Sequence, residues 1–143
     1  MKRYQAAINY EYQQAKGIFM TPINSFEDLN CWKACREVVQ HITMITRRYP
    51  SHEKYELTNN MRRAARSSSR NIAEGFGRHH HQENLQFCRI SRGSLFELID
   101  DLITSLEENY ISENDYAKCR ASIIKAIRII NGYIRYLEKA KNK

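Results

Sequence analysis

Apolar residues recur at intervals of three and four along four stretches of this chain, the spacing that puts side chains on one face of an α-helix. Phe26, Leu29, Trp32, Val39, Ile42 and Ile45 mark the first stretch. Ser25 and Asp28 stand there in the S-x-x-D form of a capping box, whose hydroxyl and carboxylate satisfy amide donors left open at a helix start. The pattern predicts a helix from about Phe26 that stops after Tyr49, because Pro50 cannot continue it.

Leu57, Met61, Ala64, Ala65, Ser68, Ile72 and Phe76 trace the inward stripe of a second helix. Ser51 is its expected N-cap, with Glu53 in the first turn, where the helix dipole favours negative charge. The middle of the stripe is small, which allows a neighbouring helix to approach closely. Periodicity lapses at Gly75 and Gly77, and these are expected to end the helix, since glycine takes the left-handed cap conformation cheaply. A phosphate-cradling G-x-G should follow a strand and open a helix, so this pair argues against a phosphate loop.

The third helix is expected from about Gln82 to Glu108, with Leu85, Cys88, Ser91, Leu95, Leu98, Leu102 and Leu106 inside. Gly93-Ser94 at its centre costs on the order of 1 kcal/mol of helix propensity relative to alanine, a concession that predicts close helix contact there. The segment NYIS, 109–112, is the connection, and Ser112 with Asp115 forms a second capping box. Tyr116, Cys119, Ile123, Ile127, Ile130, Ile134 and Leu137 mark the fourth helix, which frays into KAKNK.

Four helices of about 22 to 28 residues, roughly 33 to 42 Å long, joined by short loops, must alternate in direction. The expected fold is all-α, an antiparallel up-down-up-down four-helix bundle spanning 25–143. Residues 1–24 lack a sustained apolar period and read as an amino-terminal extension, irregular or ordered by a partner, with Met20 as an alternative start.

Composition sharpens this picture at a few points. Two prolines and five glycines in 143 residues leave too few turn signals for a sandwich or barrel. No apolar run approaches the roughly 20 residues of a membrane span, and the amino terminus lacks a secretory h-region, so a cytoplasmic protein without membrane contact is expected. Cys31, Cys35, Cys88 and Cys119 fall within the apolar-periodic segments without paired C-x-x-C spacing, as expected for reduced core thiols.

Charge changes the picture most. The chain carries a net charge of +7, yet residues 93–116 hold seven carboxylates and no lysine or arginine, whereas 117–143 hold eight cations and one carboxylate. Arg62, Arg66 and Arg70 recur every fourth residue on the second helix, with Arg63 beside them, over about 12 Å of rise, enough to span two phosphates. Arg78, Arg89 and Arg92 extend or broaden this ladder. The alternative is a face salt-bridged to Asp100, Asp101, Glu107 and Glu108 of this or a neighbouring subunit, because guanidinium binds phosphate and carboxylate with the same geometry. A second basic row on the last helix, Arg120, Arg128 and Arg135 with Lys118, Lys125 and Lys139, surrounds Tyr133 and Tyr136, which suit either base stacking or the core boundary.

Catalytic chemistry is not indicated. His79, His80 and His81 are consecutive, so their side chains splay, and they read as a half-charged loop in the basic patch rather than a metal site. Ser67 to Ser69 lack a G-x-S-x-G elbow, and Glu74 and Glu97 read as ion-pair partners of nearby arginines. A non-enzyme with no cofactor and no metal is expected.

The runs FEDLNCWKA, YPSHEKYELTNNMRRAARSSSRNIAEGFGR and FCRISRGSLFEL carry a resemblance, over about residues 26–137, to the four-helix-bundle family encoded in intervening sequences of bacterial 23S rRNA genes. Accessory proteins of diversity-generating retroelements are more distant relatives. The resemblance implies an antiparallel four-helix bundle that assembles as a ring-like homopentamer with a basic surface. It further implies partners that are RNA, DNA or a nucleic-acid-processing protein. The family motif falls on Arg62, Arg63, Ala64, Asn71, Ala73, Glu74, Gly75, Gly77, Arg78, Gly93, Ser94 and Glu97, and brings no catalytic residue. Asn71, Glu74, Ser94 and Glu97 read equally as a structural network between two helices. The loop HHHQEN and residues 1–24 depart from the family pattern. The expected function is non-enzymatic binding of nucleic acid, RNA foremost, through the arginine faces. The alternative is a protein-interaction scaffold with no nucleic-acid role.

Overall fold

In a computed structural model of the chain, residues 23–141 are described, so the extension expected over 1–24 lies almost wholly outside the described residues. Four helices carry the fold: α1, Asn30–Thr46; α2, Leu57–Gly77; α3, His81–Glu107; and α4, Glu113–Lys141. They pack in a closed square, α1 on α2, α2 on α3, α3 on α4 and α4 on α1, in up-down-up-down order. Among the described residues no helix is long and apolar enough to cross a membrane.

The inward stripes meet in one core. Leu29, Val38, Ile42, Met61, Ile72, Leu95, Leu98, Leu102, Ile123, Ile130 and Leu137 are almost completely buried. Leu106 and Tyr116, also expected inside, are only partly buried against that core. The four cysteines are free and buried, as expected for core thiols. Burial pushes Cys35 and Cys119 up to about 11 and Cys88 up to about 12, so their sulfurs stay protonated and unreactive.

Two helix starts differ from expectation. Ser25 and Asp28 do form a capping box, but it closes a single 3-10 turn over Phe26–Asp28, and α1 begins only at Asn30. Between them Leu29 takes an extended ψ of 126° and its side chain is 1 % exposed. Sinking Leu29 and the similarly buried Ile23 into the core redirects the chain and outweighs one more helical turn. Similarly, Ser51–Glu53 is a separate 3-10 turn and α2 starts at Leu57. Glu53, not Ser51, caps it: one carboxylate oxygen accepts from the Leu57 amide at 3.1 Å and the other from the Tyr110 hydroxyl at 3.0 Å.

The glycines also act differently. Gly75 lies within α2, and a Cβ built there would sit 2.7 Å from Phe87 Cβ and 2.9 Å from Asn84 Oδ1, so α2 and α3 approach closely here. Gly77 is the last helical residue, and the left-handed turn falls on His79, φ 51°. His80 then caps α3, its Nδ1 accepting from the Glu83 amide at 3.4 Å. Gly93, where close contact was expected, is exposed and a Cβ would meet nothing within 4 Å.

Candidate functional site

The face that α2 turns outward is decided by what its other face must bury. Ala64, Ala65 and Ser68 lie against α3, where the Ser91 hydroxyl donates to the Ser68 carbonyl at 2.7 Å. Beside this seam runs a polar chain: the Asn71 amide donates to the Ser67 carbonyl and hydroxyl, Ser67 meets Ser94 at 2.9 Å, and Ser94 donates to the Ile90 carbonyl. Ser68 and Ser69 donate back to the carbonyls of Ala65 and Arg66. All three serine hydroxyls are therefore engaged, Ser67 across to α3 and Ser68 and Ser69 with carbonyls of their own helix. Asn71 and Ser94 belong to this network, whereas Glu74 and Glu97 lie outside it.

With the seam fixed, Arg63, Arg66 and Arg70 line one wall of a surface groove of about 540 Å³ between α2 and α3. Ala64 and Ser67 lie between the walls, and Glu97, Asp100 and Asp101 form the opposite wall. Among the described residues none of these three arginines and none of these three carboxylates makes an ion pair. Burial, with Asp100 and Glu97 adding repulsion, pushes the Asp101 carboxyl up to about 6. The acidic wall is thus crowded and uncompensated, and so is the basic one.

The remaining arginines of the ladder are placed otherwise. Arg62 is half-buried and turns toward α1, its Nε donating to Thr46 Oγ1 at 2.9 Å. Arg78 pairs with Glu74 at 3.0 Å and lies over the Phe87 ring. Arg89 reaches Glu138 on α4 at 3.2 Å, and Arg92 donates to Asn131 at 2.7 Å. The outward row is therefore Arg63, Arg66 and Arg70, spaced by three and four, rather than the every-fourth-residue row. Spacing alone could not tell these apart, because the rotation of α2 is set by its seam with α3.

On α4, Tyr133 is buried and receives a hydrogen bond from the Asn84 amide at 3.0 Å, while Tyr136 stacks on it at 6.1 Å. The buried Tyr133 ring is thus part of the core. Lys118, Lys125, Arg128, Arg135 and Lys139 are all exposed on the outer face of the same helix. His79, His80 and His81 shape the loop before α3, and among the described residues no group of three or more His, Cys, Asp or Glu could hold a metal. The acidic wall was visible in sequence only as part of a carboxylate-rich block; its position opposite the arginines follows from helix packing.

A search among curated proteins finds no match. The family model described as 23S rRNA-intervening sequence protein matches residues 27–132, which takes in α1, α2, α3 and most of α4, together with both walls of the groove. The groove-forming seam and the motif residues on it thus lie inside the matched span, and the chain belongs to the 23S rRNA-intervening sequence protein family.

Proposed function

We propose that this protein acts without catalysis, as a self-associating basic bundle, a ring of five copies, that binds nucleic acid along the outer arginines of α2. The observation that carries the reading is the row Arg63, Arg66 and Arg70, exposed and without an ion pair among the described residues. Guanidinium groups left free along about 10 Å of helix suit consecutive phosphates, and recognition by charge rather than by base edges follows. The family's name ties its members to 23S rRNA genes, which makes structured RNA the first ligand to test.

Replacing Arg63, Arg66 and Arg70 with glutamate should lower affinity for a duplex RNA at least tenfold. It should also reduce the slope of log affinity against log salt by about 2 to 3, roughly one counterion for each phosphate that is no longer neutralised. Helicity should be unchanged, because all three side chains are on the surface. An unaltered affinity and slope would remove the row from the binding site.

The opposite wall supports a second reading. Glu97, Asp100 and Asp101 repel phosphate at short range, and a groove with one wall of each sign fits a protein segment that carries both charges. Absence of RNA and DNA binding even at low salt would leave this scaffold reading in place.

A further inference from the structure

The square arrangement of helices puts the α2–α3 side and the α1–α4 side on opposite faces of the bundle, and their surfaces are unlike. Along the outside of α3, Gly93, Phe96, Asp100 and Ile103 follow one another at intervals of three and four. Phe96 is 55 % exposed and Ile103 37 %, both large apolar groups left in water beside Glu97 and Asp101. The space over Gly93, next to Phe96, is open.

On the far side, α1 and α4 enclose a second groove of about 540 Å³, in which Met44, Ile45 and Ala121 supply apolar surface. Met44 is 61 % exposed. The two carboxylates of this groove are already engaged, Glu37 with Lys125 at 3.1 Å and Asp115 with Arg48 at 2.8 Å. Lys118 on its rim and Arg128 further along α4 make no ion pair among the described residues. The net field at this mouth is positive.

We infer that the Phe96 face of one copy seats in the α1–α4 groove of the next, Phe96 and Ile103 against Met44, Glu97 and Asp100 against Lys118 and Arg128. An apolar centre ringed by opposite charges satisfies both the exposed hydrophobic groups and the uncompensated ones. Because the two faces differ, the contact is head-to-tail, so each copy keeps one free face of each kind until the chain of copies closes. Resting on the proposed function, the contact has a second effect. Cations of the next copy cover the carboxylates opposite Arg63, Arg66 and Arg70, so assembly converts a groove of mixed sign into an anion-binding one.

Charge reversal with complementation tests the contact. The wild-type protein, measured by light scattering, should be larger than a monomer. E97K/D100K and K118E/R128E should each run as monomers with native helicity, since none of the four side chains makes an ion pair within its own chain among the described residues. Combining the four changes in one chain, E97K/D100K/K118E/R128E, should regain the wild-type mass, because both faces of the contact are then reversed together. The contact is overturned by a monomeric wild type, by either double variant keeping the wild-type mass, or by a quadruple variant that stays monomeric. The variant R63E/R66E/R70E separates the contact from the proposed function: it should keep the wild-type mass, and dissociation would place the arginines in the contact instead. A multimeric wild type that binds no RNA would sink only the nucleic-acid reading.

Discussion

The α2–α3 pair and the α1–α4 pair hold their helices antiparallel by different means. Between α2 and α3 the contact takes in Ala64, Ser67, Ser68, Ser91 and Ser94, with Gly75 against Phe87 and Asn84 and an interhelical hydroxyl-to-carbonyl bond at 2.7 Å. On α1 and α4 the buried residues are mostly aliphatic, Val38, Val39, Ile42 and Ile45 on one and Ile123, Ile127 and Ile130 on the other, with one buried hydroxyl, Ser122, meeting His41 Nδ1 at 3.1 Å. Small residues bring backbones together and require each buried hydroxyl to find an acceptor; branched ones fill more volume and leave fewer such groups to satisfy. The same difference reaches the surface. Above the small seam the groove has polar, charged walls, whereas above the aliphatic contact it has Met44, Ile45 and Ala121 among its lining residues. The side that gives up apolar bulk carries the arginine row Arg63, Arg66 and Arg70.

The largest expected effect lies on the aliphatic side. Ile42→Ala removes a completely buried side chain and should cost about 2 to 5 kcal/mol, read as a lower urea midpoint. Gly75→Val comes next, at about 1 to 3 kcal/mol, because the added methyls meet Phe87 and Asn84 on α3. A harmless valine there would break the contrast drawn between the two pairs. Ser91→Ala should cost about 1 kcal/mol, the value of one satisfied buried hydrogen bond, and a loss as large as that at Ile42 would show that the seam depends on its hydroxyls more than on close approach.

Smaller effects sharpen the comparison at the surface. Gly93→Ala should raise stability by roughly 0.5 to 1 kcal/mol, since the new Cβ meets nothing and a helical glycine is replaced. A further effect is pH-dependent and arises at Asp101. Its carboxyl is raised from 3.8 to about 6, so the protonated form favours the fold; that contribution is complete below about 3.8 and is lost as pH rises through about 6. Melting temperatures between pH 4 and 7 should therefore fall more for wild type than for Asp101→Asn. Equal slopes would mean that Arg63, Arg66 and Arg70 across the groove already offset the acidic wall.

Residue order alone determined the number of helices, their stripes and their alternation, because period, caps and short connections are local properties. All the stripe residues marked on α2 are buried, as are six of the seven marked on α3. Only packing decided the rest. Whether Ser25 and Ser51 open a long helix or a single turn depended on Leu29, Ile23 and Glu53 finding partners distant in sequence. Gly75 and Gly93 carry the same local propensity, yet one touches α3 and the other faces open space. The outward row on α2 became Arg63, Arg66 and Arg70 once the Ser68–Ser91 contact set the helix rotation, and only that rotation brought the carboxylates of α3 to the opposite wall. A periodicity of three and four tells which residues share a face of a helix; what stands across from that face is a property of two helices packed together, and no single segment of sequence contains it.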